Sequence, residues 1–305
     1  MVSTHTVRVF FVVTLVVAAA LIVQAQQQGQ LYLTVLDPDG KPVKDVTVSD
    51  VLVTADEQPC TVIKVEPSGK PTRVSLMIDN GAATTRDMAS LRAGYRAFLQ
   101  ALPEGIEVEI LTTDPQPRWL EKPTTDRQKL LSAIDRISPE SGSGAFFDAL
   151  AEAANRADKD KGAYYPTFVV LAADVGRNEN PLDWKIDKLQ KQIQQFGITI
   201  HTVVFHEGSQ TGTGNLLELG LGLTKLSGGR YEPINSATRF VTLFPELAQQ
   251  VAKSASLQAA QFRVTYERPG KNGKAAQHVS ASMRTARPGL HLVLSLNGHM
   301  PASTP

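Results

Sequence analysis

A single cysteine, Cys60, stands in 305 residues. That scarcity excludes an intramolecular disulfide and any cysteine-based metal cluster. A chain of this length without disulfides relies on its apolar core, which suits a bacterial envelope better than a small stapled extracellular scaffold. Cys60 lies at the edge of an apolar stretch, where a lone cysteine is expected to be buried and inert. An excess of one charge is also missing: 31 Lys and Arg stand against 30 Asp and Glu. No strong field therefore draws the protein toward nucleic acid or an anionic membrane. Aromatic residues are few, at 6%, yet 42% of the residues are hydrophobic, enough to fill the core of one or two domains.

Catalytic signatures are lacking as well. No serine sits in a Gly-x-Ser-x-Gly elbow and there is no His-Glu-x-x-His pair. His201 and His206, five apart, cannot share a strand face under a period of two. Gly212-Thr213-Gly214 begins like a phosphate-cradling loop, but Leu217 stands at the third glycine's place, which argues against a nucleotide site. Lys185, Lys188 and Lys191 share a helix whose inward residues are Ile186, Leu189, Ile193 and Phe196, so they read as a solvated face.

One long apolar run is present. Val9 to Val23 carries no charge, follows an N-terminal segment whose only charge is Arg8, and leads to Val23-Gln24-Ala25 before a polar stretch. This is the pattern of a secretory signal over residues 1–25, cleaved after Ala25. Fifteen residues rising ~1.5 Å each span roughly 22 Å, short of the ~30 Å hydrocarbon core, so an uncleaved anchor is the poorer reading. Loss of Arg8 leaves 30 basic and 30 acidic residues, a formally neutral exported chain.

Beyond that segment the texture changes twice. Short β segments at Leu31–Leu36, Val46–Val48, Val51–Val53 and Thr61–Lys64 precede the break at Pro67-Ser68-Gly69-Lys70-Pro71. Strands then alternate with amphipathic helices. Apolar runs at Val74–Ile78 and Thr167–Ala173 read as strands buried on both faces, and Val108–Leu111 and Ile198–Phe205 as further strands. Helical spacing marks residues 85–102, 126–137, 145–157, 182–196, 215–226 and 236–254. Asp126 is a plausible N-cap, Gly197 a helix stop, and Pro245 a source of delay or a kink. After Leu257, β texture returns at Gln261–Tyr266, Val279–Met283 and His291–Leu294. The expectation is an α/β fold: a doubly wound, mostly parallel sheet over residues 70–256 with helices on both faces. A small β-rich accessory unit comes from both termini, residues 30–68 and 258–296.

In such sheets, sites form on the loops beyond the carboxyl ends of the strands. Asp79, the loop Ser141-Gly142-Ser143-Gly144 and Asp174 all fall there. The run Arg73–Asp79, the glycine/serine loop before Phe146-Phe147-Asp148-Ala149-Leu150, and the strand ending in Asp174 resemble a von Willebrand factor type A domain of the bacterial exported kind. The resemblance covers roughly residues 30–296 and rests on order and texture more than on one motif.

That resemblance implies a metal-ion-dependent adhesion site. In the family, an Asp-x-Ser-x-Ser segment, a loop Thr and a third-loop Asp hold Mg²⁺, which a ligand carboxylate completes. Neutral hydroxyls leave Mg²⁺ enough residual charge to attract an acidic partner, and the ion needs about six hard oxygens. Here Asp79 and Asp174 match the two acids, but Gly81 and Ala83 stand at the serine positions and Gly144 at the threonine. Ser143, Thr84 or Thr85 would have to substitute through a one-residue shift. Each acid also has a structural reading, since an Asp at a strand end caps helices or accepts loop N–H groups. Asp148, one turn into its helix, reads as a cap or loop anchor.

The function implied is protein–protein binding outside the cytoplasm, without catalysis and without an obligatory cofactor, through binding loops at Asp79, Gly81, Ala83, Ser143, Gly144 and Asp174. Any Mg²⁺ bound by Asp79 and Asp174 would be held weakly. Two other classes stand beside it. One is a structural envelope component that makes its contacts through the β unit. The other is a hydrolase using Asp79 as nucleophile, although Asp79-Asn80-Gly81 lacks the Asp-x-Asp pattern of phosphate-transferring loops.

Overall fold

The computed structural model describes residues 28–142, 145–173, 179–206, 215–268, 277–284, 289–295 and 298. In chain order, β1 (Gln28–Leu36), β2 (Val51–Ala55), β3 (Gln58–Pro67) and β4 (Thr72–Ile78) lead to α1 (Met88–Ala101). Next come β5 (Glu107–Thr112), β6 (Arg118–Thr124), α2 (Arg127–Asp135), α3 (Phe146–Lys159), β7 (Tyr165–Ala173) and α4 (Asp183–Phe196). Then follow β8 (Thr199–Phe205), α5 (Leu216–Ser227), β9 (Tyr231–Ile234) and α6 (Phe240–Ala259). The last strands are β10 (Phe262–Glu267), β11 (Val279–Met283) and β12 (His291–Ser295).

Two sheets result. One runs β6-β5-β4-β7-β8-β9, parallel except for the antiparallel edge strand β6. The other runs β11-β2-β3-β10-β1-β12, antiparallel throughout, and joins strands from the two ends of the chain. The α/β architecture read from the apolar runs is therefore present, with a separate antiparallel sheet beside it.

Period two along β4 divides the α/β core. Val74, Leu76 and Ile78 face one side, where Tyr95 and Phe98 of α1, Ile134 of α2, and Phe240 and Phe244 of α6 pack. Met77 faces the other, against Phe146, Phe147 and Leu150 of α3 and Leu189 and Ile193 of α4. Apolar burial on both faces is what a parallel sheet requires. Leu31, Leu33, Val35, Val53, Phe262 and Val264 form a third core in the antiparallel sheet. Alternation is clean there: β10 reads buried, half-buried, buried.

The caps follow local chemistry. The Asp126 carboxylate accepts from the N–H groups of Gln128 (3.0 Å) and Lys129 (3.2 Å). Gly197 closes α4 at φ 71°, a left-handed conformation that favours glycine.

Several expectations are corrected. Val46–Val48 is not a strand; Val48–Asp50 is a short 3-10 turn held by Thr47 and Asp50. The first helix starts at Met88 rather than residue 85, because Ala82–Thr84 forms its own 3-10 turn. α6 begins at Phe240 and runs unbroken through Pro245 to Ala259. β6 carries no apolar run and went unforeseen. Cys60 is half-buried rather than buried, and burial raises its thiol pKa.

Candidate functional site

β4, β5 and β7 are parallel neighbours, so their carboxyl ends reach one edge of the sheet together. Asp79 leaves β4 there and is 4% exposed. Its carboxylate is a staple. Oδ1 accepts from the Gly81 N–H at 3.0 Å, and Oδ2 accepts from the Ala173 N–H, at the end of β7, at 2.9 Å. One side chain thus satisfies backbone donors on two segments that would otherwise be buried without partners.

Asn80 continues the lacing. Its side-chain NH₂ donates to the Ser138 carbonyl at 2.8 Å, and its Oδ1 accepts from the Asp114 N–H at 3.3 Å. The Glu140 N–H donates to the Asn80 carbonyl (2.8 Å), and the Ala82 N–H to the Gly142 carbonyl (3.0 Å). The loops after β4, after β5 and after α2 are therefore zipped by the Asn80 side chain and by backbone contacts.

Asp114 was not foreseen. It follows β5, is buried, and meets Asp79 across Gly81: a Cβ at Gly81 would lie 3.1 Å from Asp114 Oδ2 and 3.2 Å from Asp79 Oδ1. The rule that singled out Asp79 and Asp174, an acid just beyond a buried strand, applies equally to Asp114.

The glycines are dictated by this closeness. The same Cβ at Gly81 would stand 2.8 Å from the Gly142 carbonyl oxygen, inside any real contact. A Cβ at Gly142 would lie 2.1 Å from Asp114 Oδ1. Side-chain hydroxyls at position 81 have no room unless the backbone moves.

Ala83 is half-buried on the 3-10 turn beside these residues. The hydroxyls weighed as substitutes point elsewhere: Thr84 Oγ1 donates to the carbonyls of Asp79 (3.1 Å) and Gly81 (3.0 Å), and Thr85 Oγ1 to that of Gly81 (3.5 Å). Ser143, Gly144 and Asp174 lie outside the described residues. Among the described residues no three His, Cys, Asp or Glu side chains converge as a metal cluster. With position 81 closed to a side chain, the described residues place no hydroxyl where the family has its first serine.

Asp148 is corrected. Its side chain is exposed and lies 3.6 Å from Lys185 Nζ, so it does not cap α3. Glu179 does, with its carboxylate oxygens accepting from the N–H groups of Phe146 (3.2 Å) and Phe147 (3.4 Å).

Two buried titratable groups lie away from the strand tips. His201 on β8 is 2% exposed; its Nδ1 accepts from the Arg230 N–H at 3.1 Å, and burial, with the Arg230 charge, lowers its pKa to about 4. Glu109 on β5 accepts from the Ser75 hydroxyl at 2.6 Å and faces Arg156 at 3.5 Å, and burial raises its pKa.

Residues 74–177 match the sequence model of the von Willebrand factor type A domain. Over these residues the α/β layer is similar to a type A domain. No curated protein matches the chain. Among solved structures, the von Willebrand factor type A protein from Catenulispora acidiphila is similar at a TM-score of 0.50 and 11% identity, over 88% of this chain and 73% of that one. A mutant of the PilB minor pilin from Streptococcus sanguinis gives 0.47 and 13%, over 61% and 62%. The conserved hypothetical protein BatB from Bacteroides thetaiotaomicron gives 0.45 and 15%, over 61% and 100%. At 11% identity the likeness to the Catenulispora protein is one of fold. Among the described residues no helix is long and apolar enough to cross a membrane.

Proposed function

We propose that this chain is an exported, non-catalytic protein-binding module whose type A domain engages its partner through the strand-tip loops without an ion. The observation that carries the reading is the Asp79 staple with its closed neighbour: the acid that matches the family's first metal-site Asp accepts a backbone N–H on each oxygen, and no side chain fits at position 81 beside it. The glycines at 81 and 142 favour a loop face set by close packing, Gly81 on the Gly142 carbonyl and Gly142 on the Asp114 carboxylate. A rigid, preordered surface of this kind binds without the cost of ordering loops. The uncharged run Val9–Val23 supports export, and the charge balance favours a protein partner over nucleic acid.

The test is affinity capture from envelope extract by the mature protein, with and without chelator. Ala82→Glu and Thr85→Glu place charge at exposed positions of the loop face. The partner should persist in chelator and be lost from both variants. Partner crosslinks confined to residues 30–68 and 258–296 would instead establish the structural-component reading.

A further inference from the structure

The chain has two tryptophans, and both line one groove. The groove lies between α3 and α4, closed at one end by the turn from Gln116 to Trp119 that opens β6, with a volume of about 450 Å³. That is the size of a small-molecule site. Trp184, in the first turn of α4, is 60% exposed. A large apolar ring held in water on a rigid helix is unfavourable unless something covers it.

Trp119 is a built floor rather than an accident of the surface. The Arg156 guanidinium lies 4.1 Å from its ring centroid, and Glu109, buried under α3, holds Arg156 from beneath at 3.5 Å. Burying such an ion pair adds little stability over apolar residues of the same volume. It does fix the indole in place.

The walls are polar and electrically balanced. Asp148 and Glu152 on α3 stand against Lys185 and Lys188 on α4, beside the amides of Asn155 and Gln192, where the Gln192 NH₂ donates to the Asn155 oxygen at 3.2 Å. Equal charge of each sign favours a neutral ligand. Both walls are helices whose backbone groups bond internally, so an extended peptide finds no pairing edge along them. Flat aromatic faces, planar amides and paired carboxylates and amines match a ring with an apolar C–H face and a rim of hydroxyls.

We propose that this groove is a second binding site and that it takes a neutral saccharide, stacked between Trp119 and Trp184. The site uses none of Asp79, Gly81, Ala83, Ser143, Gly144 or Asp174, although Gln116 and Pro117 belong to the loop after β5.

The experiment titrates the mature protein with cellohexaose, chitohexaose, mannohexaose and maltohexaose, reading tryptophan emission and calorimetric heat. Oligogalacturonate and a decaproline peptide serve as comparators. The expected result is a saturable blue shift with a neutral hexasaccharide, weakened roughly tenfold or more by Trp184→Ala and partly recovered in Trp184→Phe. Glu109→Gln, which loosens the hold on Arg156, should weaken binding less than Trp184→Ala while leaving the circular dichroism spectrum unchanged. Three results would overturn the proposal: no saturation by any neutral hexasaccharide up to about 5 mM, binding of the acidic oligomer or the peptide alone, or saccharide binding that Trp184→Ala leaves intact.

Discussion

Putting the family's first serine back should damage the protein rather than restore an ion site. In Gly81→Ser the new Cβ stands 2.8 Å from the Gly142 carbonyl oxygen, with Asp114 Oδ2 at 3.1 Å and Asp79 Oδ1 at 3.2 Å. The first contact is with backbone, so relief needs the 140–142 segment to move. That segment is held by the Ala82 N–H to Gly142 carbonyl bond at 3.0 Å and the Glu140 N–H to Asn80 carbonyl bond at 2.8 Å. Overpacking a closed site costs about 1–3 kcal/mol, and losing one of those bonds adds roughly 1 kcal/mol. The variant should therefore be about 2–4 kcal/mol less stable by chemical denaturation at an unchanged slope. Ala83→Ser is the internal control: position 83 is half-buried, and the change should stay within about 0.5 kcal/mol. A Gly81→Ser protein as stable as the parent would refute the claim that backbone packing has closed this corner.

Other predictions follow from the same geometry. Asp79→Asn must aim an NH₂ group at the N–H of either Gly81 or Ala173, so stability should fall by about 1–3 kcal/mol, read from thermal or urea unfolding. His201 takes a proton near pH 4 when folded but near 6.5 when unfolded, so its contribution is complete above about pH 6.5 and is lost as pH falls toward 4. The loss amounts to roughly 3 kcal/mol. Glu109, with its raised pKa, acts in the opposite sense, so the comparison is with His201→Asn, which keeps an acceptor for Arg230. The stability gap between the two proteins should shift by that amount between pH 7 and 4, and parallel pH profiles would contradict it. Gly197→Ala, at φ 71°, should cost about 1 kcal/mol without altering binding, checked by urea unfolding and partner capture.

The α/β layer was legible because its strands bury both faces. Runs such as Phe168-Val169-Val170-Leu171 admit no half-exposed reading, and helical stripes filled the intervals between them. β6 was illegible for the opposite reason. Arg118-Trp119-Leu120-Glu121-Lys122-Pro123-Thr124 is an edge strand facing solvent, where charge and proline are tolerated and no pattern is required. The position of Asp79 at a strand end was readable, but its engagement was not, since the partners are backbone groups of distant loops. Asp114 escaped because two threonines separate it from its apolar run, although the strand-end rule covered it. Glu109 offered a signal in plain view: a charged residue within Val108–Leu111, in a strand with no solvent face. The pairing of Trp119 with Trp184 depends on how α3 and α4 pack, which no local pattern encodes.

Ion-free binding at the strand-tip surface is the central claim. Calorimetric titration of the purified mature protein with Mn²⁺, and in parallel with Mg²⁺, addresses this directly. No saturable heat should appear in the micromolar range, and partner capture should be the same in chelator. A micromolar site that disappears in Asp174→Ala would contradict it.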